Sequence, residues 1–163
     1  MFRRVVACAL PLAAFAISAM AAPAHAGAEQ SPQDMLRGLY AQYDVHAHGH
    51  APHHTDPKVL MTPQLAHAYA KVTHAEPGDV APLDWDVFVN AQDYDVQHLT
   101  LTVAPAGKTE LVTAAFDNLG QPATVIYAFA HTSAGWRIDD IRYPPDRIYP
   151  KGFSLEAFAR RAN

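Results

Sequence analysis

Five histidines fall within nine positions of this chain, His46, His48, His50, His53 and His54, with Asp44 and Asp56 on either side. Neutral imidazole is a common nitrogen ligand for zinc, copper and nickel, and an extended His-x-His-x-His run puts three rings on one side of the backbone. These five residues are the candidate metal ligands, with Zn or Cu as the metal they would take. No cysteine accompanies them, so a closed thiolate site is not expected. The tract also reads as a solvated low-complexity loop, in which ordering entropy keeps metal affinity modest. Nothing else in the sequence requires a cofactor. A second chemical feature is acidic: Asp84-Trp85-Asp86 and Asp93-Tyr94-Asp95 repeat one Asp-aromatic-Asp pattern, joined by Asn90 and Gln92. No glycine-rich phosphate loop, zincin motif or Gly-x-Ser-x-Gly elbow is present.

Caps and periodicity predict the elements that hold these residues. Ser31-Pro32-Gln33-Asp34 starts a helix, and Met35, Leu36, Leu39, Tyr40 and Tyr43 share one of its faces. Residues 45–57, rich in His, Gly and Pro, are expected to form a loop. Thr62-Pro63 starts a second helix with Leu65, Ala66, Tyr69 and Val72 inward. After Pro82 the pattern changes to period two. Leu99, Leu101 and Val103 oppose His98, Thr100 and Thr102, and further strands are expected from Thr109 to Phe116, Thr124 to His131 and Trp136 to Ile141. In the last of these the apolar set skips from Ile138 to Ile141, which calls for a bulge or an inward polar residue. Ser154 to Arg161 reads as a short capped helix. Helices followed by a meander of four antiparallel strands make an α+β fold, helices on one face of the sheet.

The 163 residues are 50% hydrophobic and 17% charged, as for one ordinary globular domain. Arg3 and Arg4, the apolar run from Val5 to Ala22, and Ala24-His25-Ala26 read as a secretory signal cut near Ala26. A membrane anchor needs about 20 apolar residues, and this run is shorter and contains Pro11. The domain is then residues 27–163, periplasmic or secreted, with no transmembrane segment after cleavage. Cys8 leaves with the signal, so the exported chain has no thiol chemistry. Losing Arg3 and Arg4 leaves ten Lys and Arg against sixteen Asp and Glu, which disfavours nucleic acid as a partner. Arg142, Arg147, Lys151, Arg160 and Arg161 form a basic tail, expected to dock on its own domain ahead of the alternatives, anionic lipid or an acidic partner.

A helical front half, an aromatic-acidic bridge, hairpin-linked strands and the closing strand Gly135-Trp136-Arg137-Ile138-Asp139-Asp140-Ile141 resemble the NTF2-like (SnoaL-like) superfamily. With Asn90-Ala91-Gln92-Asp93 and the export signal, the chain looks like a proteobacterial branch of periplasmic domains of unknown function. The resemblance runs from about Ser31 to Phe158 and leaves the histidine tract outside it. It implies a curved sheet wrapped around helices as a cone with a pocket. In such cones an acidic residue among apolar neighbours can carry protons, since burial raises a carboxyl pKa. On that basis Asp86, Asp93 and Asp140 are the candidate acid/base residues, with Tyr127 or His98 as partner to Asp140. Trp85, Tyr127, His98 and Arg142 are the candidate ligand contacts. The competing assignment makes Asp84 and Asp93 turn or capping residues and pairs Asp139 and Asp140 with Arg137 and Arg142 at the surface.

The leading functional expectation is an exported binding module that uses a cone pocket or the sheet face to hold a small molecule or an envelope protein. A homodimer through the sheet is one form of it. The alternatives are an isomerase-like or hydrolyase-like acid/base enzyme and metal capture by the histidine tract.

Overall fold

The computed structural model describes residues 29–48 and 56–162. Four helices, α1 (Pro32–Tyr40), α2 (Val45–His48), α3 (Pro63–Thr73) and α4 (Leu155–Arg161), accompany five strands. The strands are β1 (Val96–Ala106), β2 (Thr109–Asn118), β3 (Gln121–Thr132), β4 (Gly135–Tyr143) and β5 (Phe153–Ser154). They pair antiparallel in the order β1-β2-β3-β4-β5. The fold is α+β, with a sheet of five strands in place of the expected four. The fifth is only two residues long and carries no alternation that could announce it, because it exists by pairing Phe153 and Ser154 with the end of β4.

Both expected helix starts form as the cap chemistry dictates. Ser31 Oγ accepts from the Asp34 N–H at 3.2 Å and Thr62 Oγ1 from the Leu65 N–H at 3.3 Å, each with a proline in the first turn. Met35, Leu36, Leu39, Tyr40 and Tyr43 are all buried, so the α1 stripe lies on the core. They join Val112, Ala114 and Phe116 of β2, Val125, Tyr127 and Phe129 of β3, and Ile138 and Ile141 of β4 in one apolar cluster. The expected loop at 45–57 begins instead as a helical turn, α2. Asp44 Oδ1 accepts the His46 N–H at 3.0 Å, an Asx-type start that a reading by apolar periodicity overlooks.

Two bulges shape the sheet. On β4 the register moves between Ala128↔Asp140 and Phe129↔Ile138, so Asp139 is the extra residue and accounts for the skip from Ile138 to Ile141. There the Ile138 carbonyl accepts the Thr62 N–H at 2.8 Å and Asp139 Oδ1 accepts the Thr62 hydroxyl at 3.1 Å, fixing the start of α3 against the sheet. On β1 the register moves between Gln97 and Thr100, and His98 takes a left-handed φ of 54°. β1 is the long edge of the sheet, and Gln33 on α1 donates to its Leu101 carbonyl at 3.2 Å.

The β2–β3 turn has φ 51° at Leu119 and 72° at Gly120, the left-handed pair of a type I′ hairpin. Leucine is a poor occupant of that first position, and its side chain is exposed. Leu119→Asn should raise stability by about 1 kcal/mol, read as a melting temperature about 3 °C higher. An unchanged or lower melting temperature would show that the leucine side chain contributes packing there.

The basic tail docks on its own domain. Leu155 and Ala159 of α4 are buried, Phe153 stacks on Tyr143 at 4.6 Å between ring centroids, and Ser154 Oγ caps the helix at Ala157 N–H, 3.1 Å. Among the described residues no helix is long and apolar enough to cross a membrane.

Candidate functional site

The aromatic-acidic bridge runs through the interior. Asp86 and Ala91 pair backbone to backbone and close a tight loop, in which Asn90 takes a left-handed φ of 53° that asparagine tolerates better than most residues. The loop drives Val87, Phe88 and Val89 into the core. Their backbone groups then need partners away from water, and tyrosine hydroxyls supply them. Tyr127 donates to Tyr40 at 2.9 Å, which donates on to the Phe88 carbonyl at 2.7 Å. Tyr143 donates to the Val87 carbonyl at 2.9 Å and receives the Trp85 indole N–H at 3.3 Å. Tyr43 donates to Asp86 Oδ2 at 2.6 Å, while Asp86 Oδ1 accepts the Phe88 N–H at 2.8 Å.

Burial raises the pKa of Tyr40, Tyr43, Tyr127 and Tyr143 well above the ordinary tyrosine value, and the Asp86 carboxylate adds to the rise at Tyr43. Tyr69, less enclosed, is pushed up to about 12 by burial and by the same carboxylate. The four hydroxyls of Tyr40, Tyr43, Tyr127 and Tyr143 are thus neutral donors engaged within the protein.

The open polar site lies between the end of α1, α2 and the start of β1. This cleft, about 490 Å³, is lined by Arg37, Tyr40, Asp44, His46, Gln97 and His98, among others. Asp95 adjoins it, in contact with the lining residues His46 and Gln97. The Asp95 backbone is pinned by Asn118 Oδ1, which accepts its N–H at 2.9 Å, and by the Leu119 N–H donating to its carbonyl at 3.1 Å. Gln97 Nε2 donates to Asp95 Oδ2 at 3.0 Å and lies 3.0 Å from His46 Nε2, which accepts its other proton. Asp95 Oδ1 is buried without a hydrogen bond, 3.4 Å from His46 Nε2. On the rim, His98 Nδ1 pairs with Asp117 Oδ2 at 2.8 Å.

No family model, curated protein or solved structure matches this chain. The site has therefore to be read from its own chemistry.

The acid/base candidates are dispersed. Asp86 is half-buried and holds Tyr43 and the bridge. Asp93 is exposed, and only its carbonyl is engaged, by Asn118 Nδ2 at 3.2 Å. Asp140 is 4% exposed and takes four donors: the Ile141 and Glu156 N–H groups at 2.9 and 3.1 Å on Oδ1, and Arg142 Nε and Ser154 Oγ at 2.7 and 2.8 Å on Oδ2. Its partners are these, not the expected Tyr127 or His98. Among the ligand-contact candidates, Tyr127 is fully buried, and Trp85 packs edge-on to Phe153 and Phe158 at 6.0 Å. Arg142 is exposed against Asp140, and only His98 reaches the cleft.

His46 also lines the cleft, whereas the side chains of His48, His50, His53 and His54 lie outside the described residues. Because α2 is helical, His46 and His48 do not share the extended backbone expected of them. Among the described residues no group of three or more His, Cys, Asp or Glu side chains is arranged to hold a metal ion. Asp95 and Gln97 were not singled out from sequence. The signal was the second Asp-aromatic-Asp motif, but the member that matters is the one adjoining the strand, because the sheet holds Asp95 in place and leaves Asp93 in water.

Proposed function

We propose that the protein is an exported binding module, NTF2-like in architecture, that holds a small polar ligand in the cleft between α1 and β1. The observation that carries this reading is the contrast between interior and cleft. Inside, the hydroxyls of Tyr40, Tyr43, Tyr127 and Tyr143 are engaged with the bridge or with one another. In the cleft, a guanidinium, two imidazoles, an amide and the Asp44 carboxylate line an open space large enough for a small molecule. The saturated carboxylate of Asp140 and the bridge-holding role of Asp86 favour binding over acid/base turnover. Export rests on the sequence of residues 1–26.

Ala41 is exposed on the cleft wall, so Ala41→Trp would fill the site without entering the core. Titration of the purified protein against envelope-derived small molecules, including peptidoglycan fragments and lipid headgroups, should find a ligand of micromolar affinity. Ala41→Trp should weaken it more than about tenfold with the melting temperature unchanged. Equal affinity in both proteins, or no ligand at all, would reject the cleft.

A further inference from the structure

We propose that the cleft takes a divalent transition metal, zinc first, on His46 Nε2 and Asp95 Oδ1, an inference that rests on the cleft being the binding site. Three observations point to it. Asp95 Oδ1 is a buried carboxylate oxygen with no hydrogen bond, which is costly unless a cation or another donor meets it. His46 Nε2 stands as an acceptor whose lone pair is engaged by Gln97 Nε2 at 3.0 Å, and neutral imidazole becomes the ligating form once that amide turns away. Finally, the two atoms are 3.4 Å apart.

That separation discriminates between metals. Two ligands each about 2.1 Å from a tetrahedral ion lie about 3.4 Å apart, whereas adjacent ligands of an octahedral ion at the same bond length lie about 3.0 Å apart. Calcium, with longer bonds, also fits the spacing but prefers an all-oxygen shell and discriminates against imidazole. The spacing of the pair therefore matches one edge of a zinc tetrahedron, and the movement it requires is at Gln97, whose amide must release the His46 lone pair.

Gln97 supplies the third position. Its amide joins both ligands, and a half-turn of that amide exchanges the N–H donors for the carbonyl oxygen, converting a group that bridges the two ligands into a third ligand. Water completes the shell. The site is built on anchored backbone: Asn118 clamps Asp95, Asp44 holds the first turn of α2, and Gln97 belongs to β1. A pre-positioned pair of this kind is distinct from a histidine tract that gathers metal by flexibility alone.

The test is calorimetric titration of untagged protein with zinc chloride, compared across three variants. Wild type should bind one zinc ion. Replacing His48, His50, His53 and His54 together by alanine should leave that event in place within a few-fold. His46→Ala and Asp95→Asn should each weaken it more than about tenfold while circular dichroism stays native. Calcium chloride should give no comparable binding. The proposal is overturned if the four-histidine variant abolishes binding, or if His46→Ala and Asp95→Asn leave it unchanged. If zinc fails to bind wild type while a small molecule still binds and is excluded by Ala41→Trp, the metal is wrong and the cleft stands. If Ala41→Trp excludes neither zinc nor any small molecule, the cleft itself is wrong.

Discussion

Above about pH 10 the protein should unfold over a narrow range, with tyrosinate absorbance rising in the same step in which circular dichroism is lost. In the unfolded chain the tyrosines ionise near pH 10. In the folded protein, burial holds Tyr40, Tyr43, Tyr127 and Tyr143 in the neutral form far beyond that. A folded-state pKa raised in this way contributes stability that is complete below the unfolded value and declines as pH rises through it. Each tyrosine lowers stability by about 1.4 kcal/mol per pH unit in that window, and four together by roughly 5 kcal/mol. Domains of ordinary stability hold only about 5–15 kcal/mol, so one to three pH units suffice. Tyr40→Phe removes one titrating group and so makes the loss of stability with pH about a quarter less steep. At neutral pH it should also cost about 1–3 kcal/mol, since the Tyr127 hydroxyl and the Phe88 carbonyl both lose their partner. A gradual tyrosinate titration with the fold intact would mean that the hydroxyls reach water by local opening.

Asp140→Ala should be among the most damaging polar substitutions, lowering stability by about 3 kcal/mol. The carboxylate is 4% exposed and ties β4 to the tail through four donors, two of them backbone N–H groups. Without it the Glu156 N–H at the first turn of α4 has no acceptor, and Ser154 loses the contact that orients it as the cap. Arg142→Ala removes a single donor whose head is half in water and should cost at most about 1 kcal/mol. Urea unfolding of the two variants measures the difference, and trypsin adds a local readout. In the Asp140 variant cleavage after Arg147, Lys151 and Arg160 should precede cleavage of the strands. Equal stabilities for the two variants would remove Asp140 from its anchoring role.

α1, α3, α4, the long strands and the irregularity of β4 were legible in the sequence because each is decided locally, by a cap, an alternation or a break in it, whereas α2, started by Asp44, was not. Ser31, Thr62 and Ser154 announce their helices, and the Ile138 to Ile141 skip announces a bulge or an inward polar residue, which the register resolves as a bulge at Asp139. The interior hydrogen bonds were not legible. Tyr40 meets Phe88 and Tyr127 across 48 and 87 positions, separations to which no period or cap reaches. Tyr40 and Tyr43 were expected on the inward face of α1 and lie there, but why they are tyrosines follows only once the bridge is seen entering the core. The candidate site was half legible. His46 and His98 stood out by type, whereas Asp95 and Gln97 gain meaning from the β1 register and the Asn118 clamp.

The bulge at His98 bears on how this protein behaves at high concentration. An unpaired edge strand of eleven residues is a template on which a foreign strand, or the same strand of a neighbour, can add. Here the template is interrupted. His98 twists the first third of β1 out of register, Gln33 occupies the Leu101 carbonyl, and Pro105 has no N–H to offer. At the other side of the sheet, Met61 bridges Ile138 and the two residues of β5 close the end of β4. The sheet is thus capped against growth along both borders, and a chain whose one cysteine can close no disulfide within itself keeps its strands to itself.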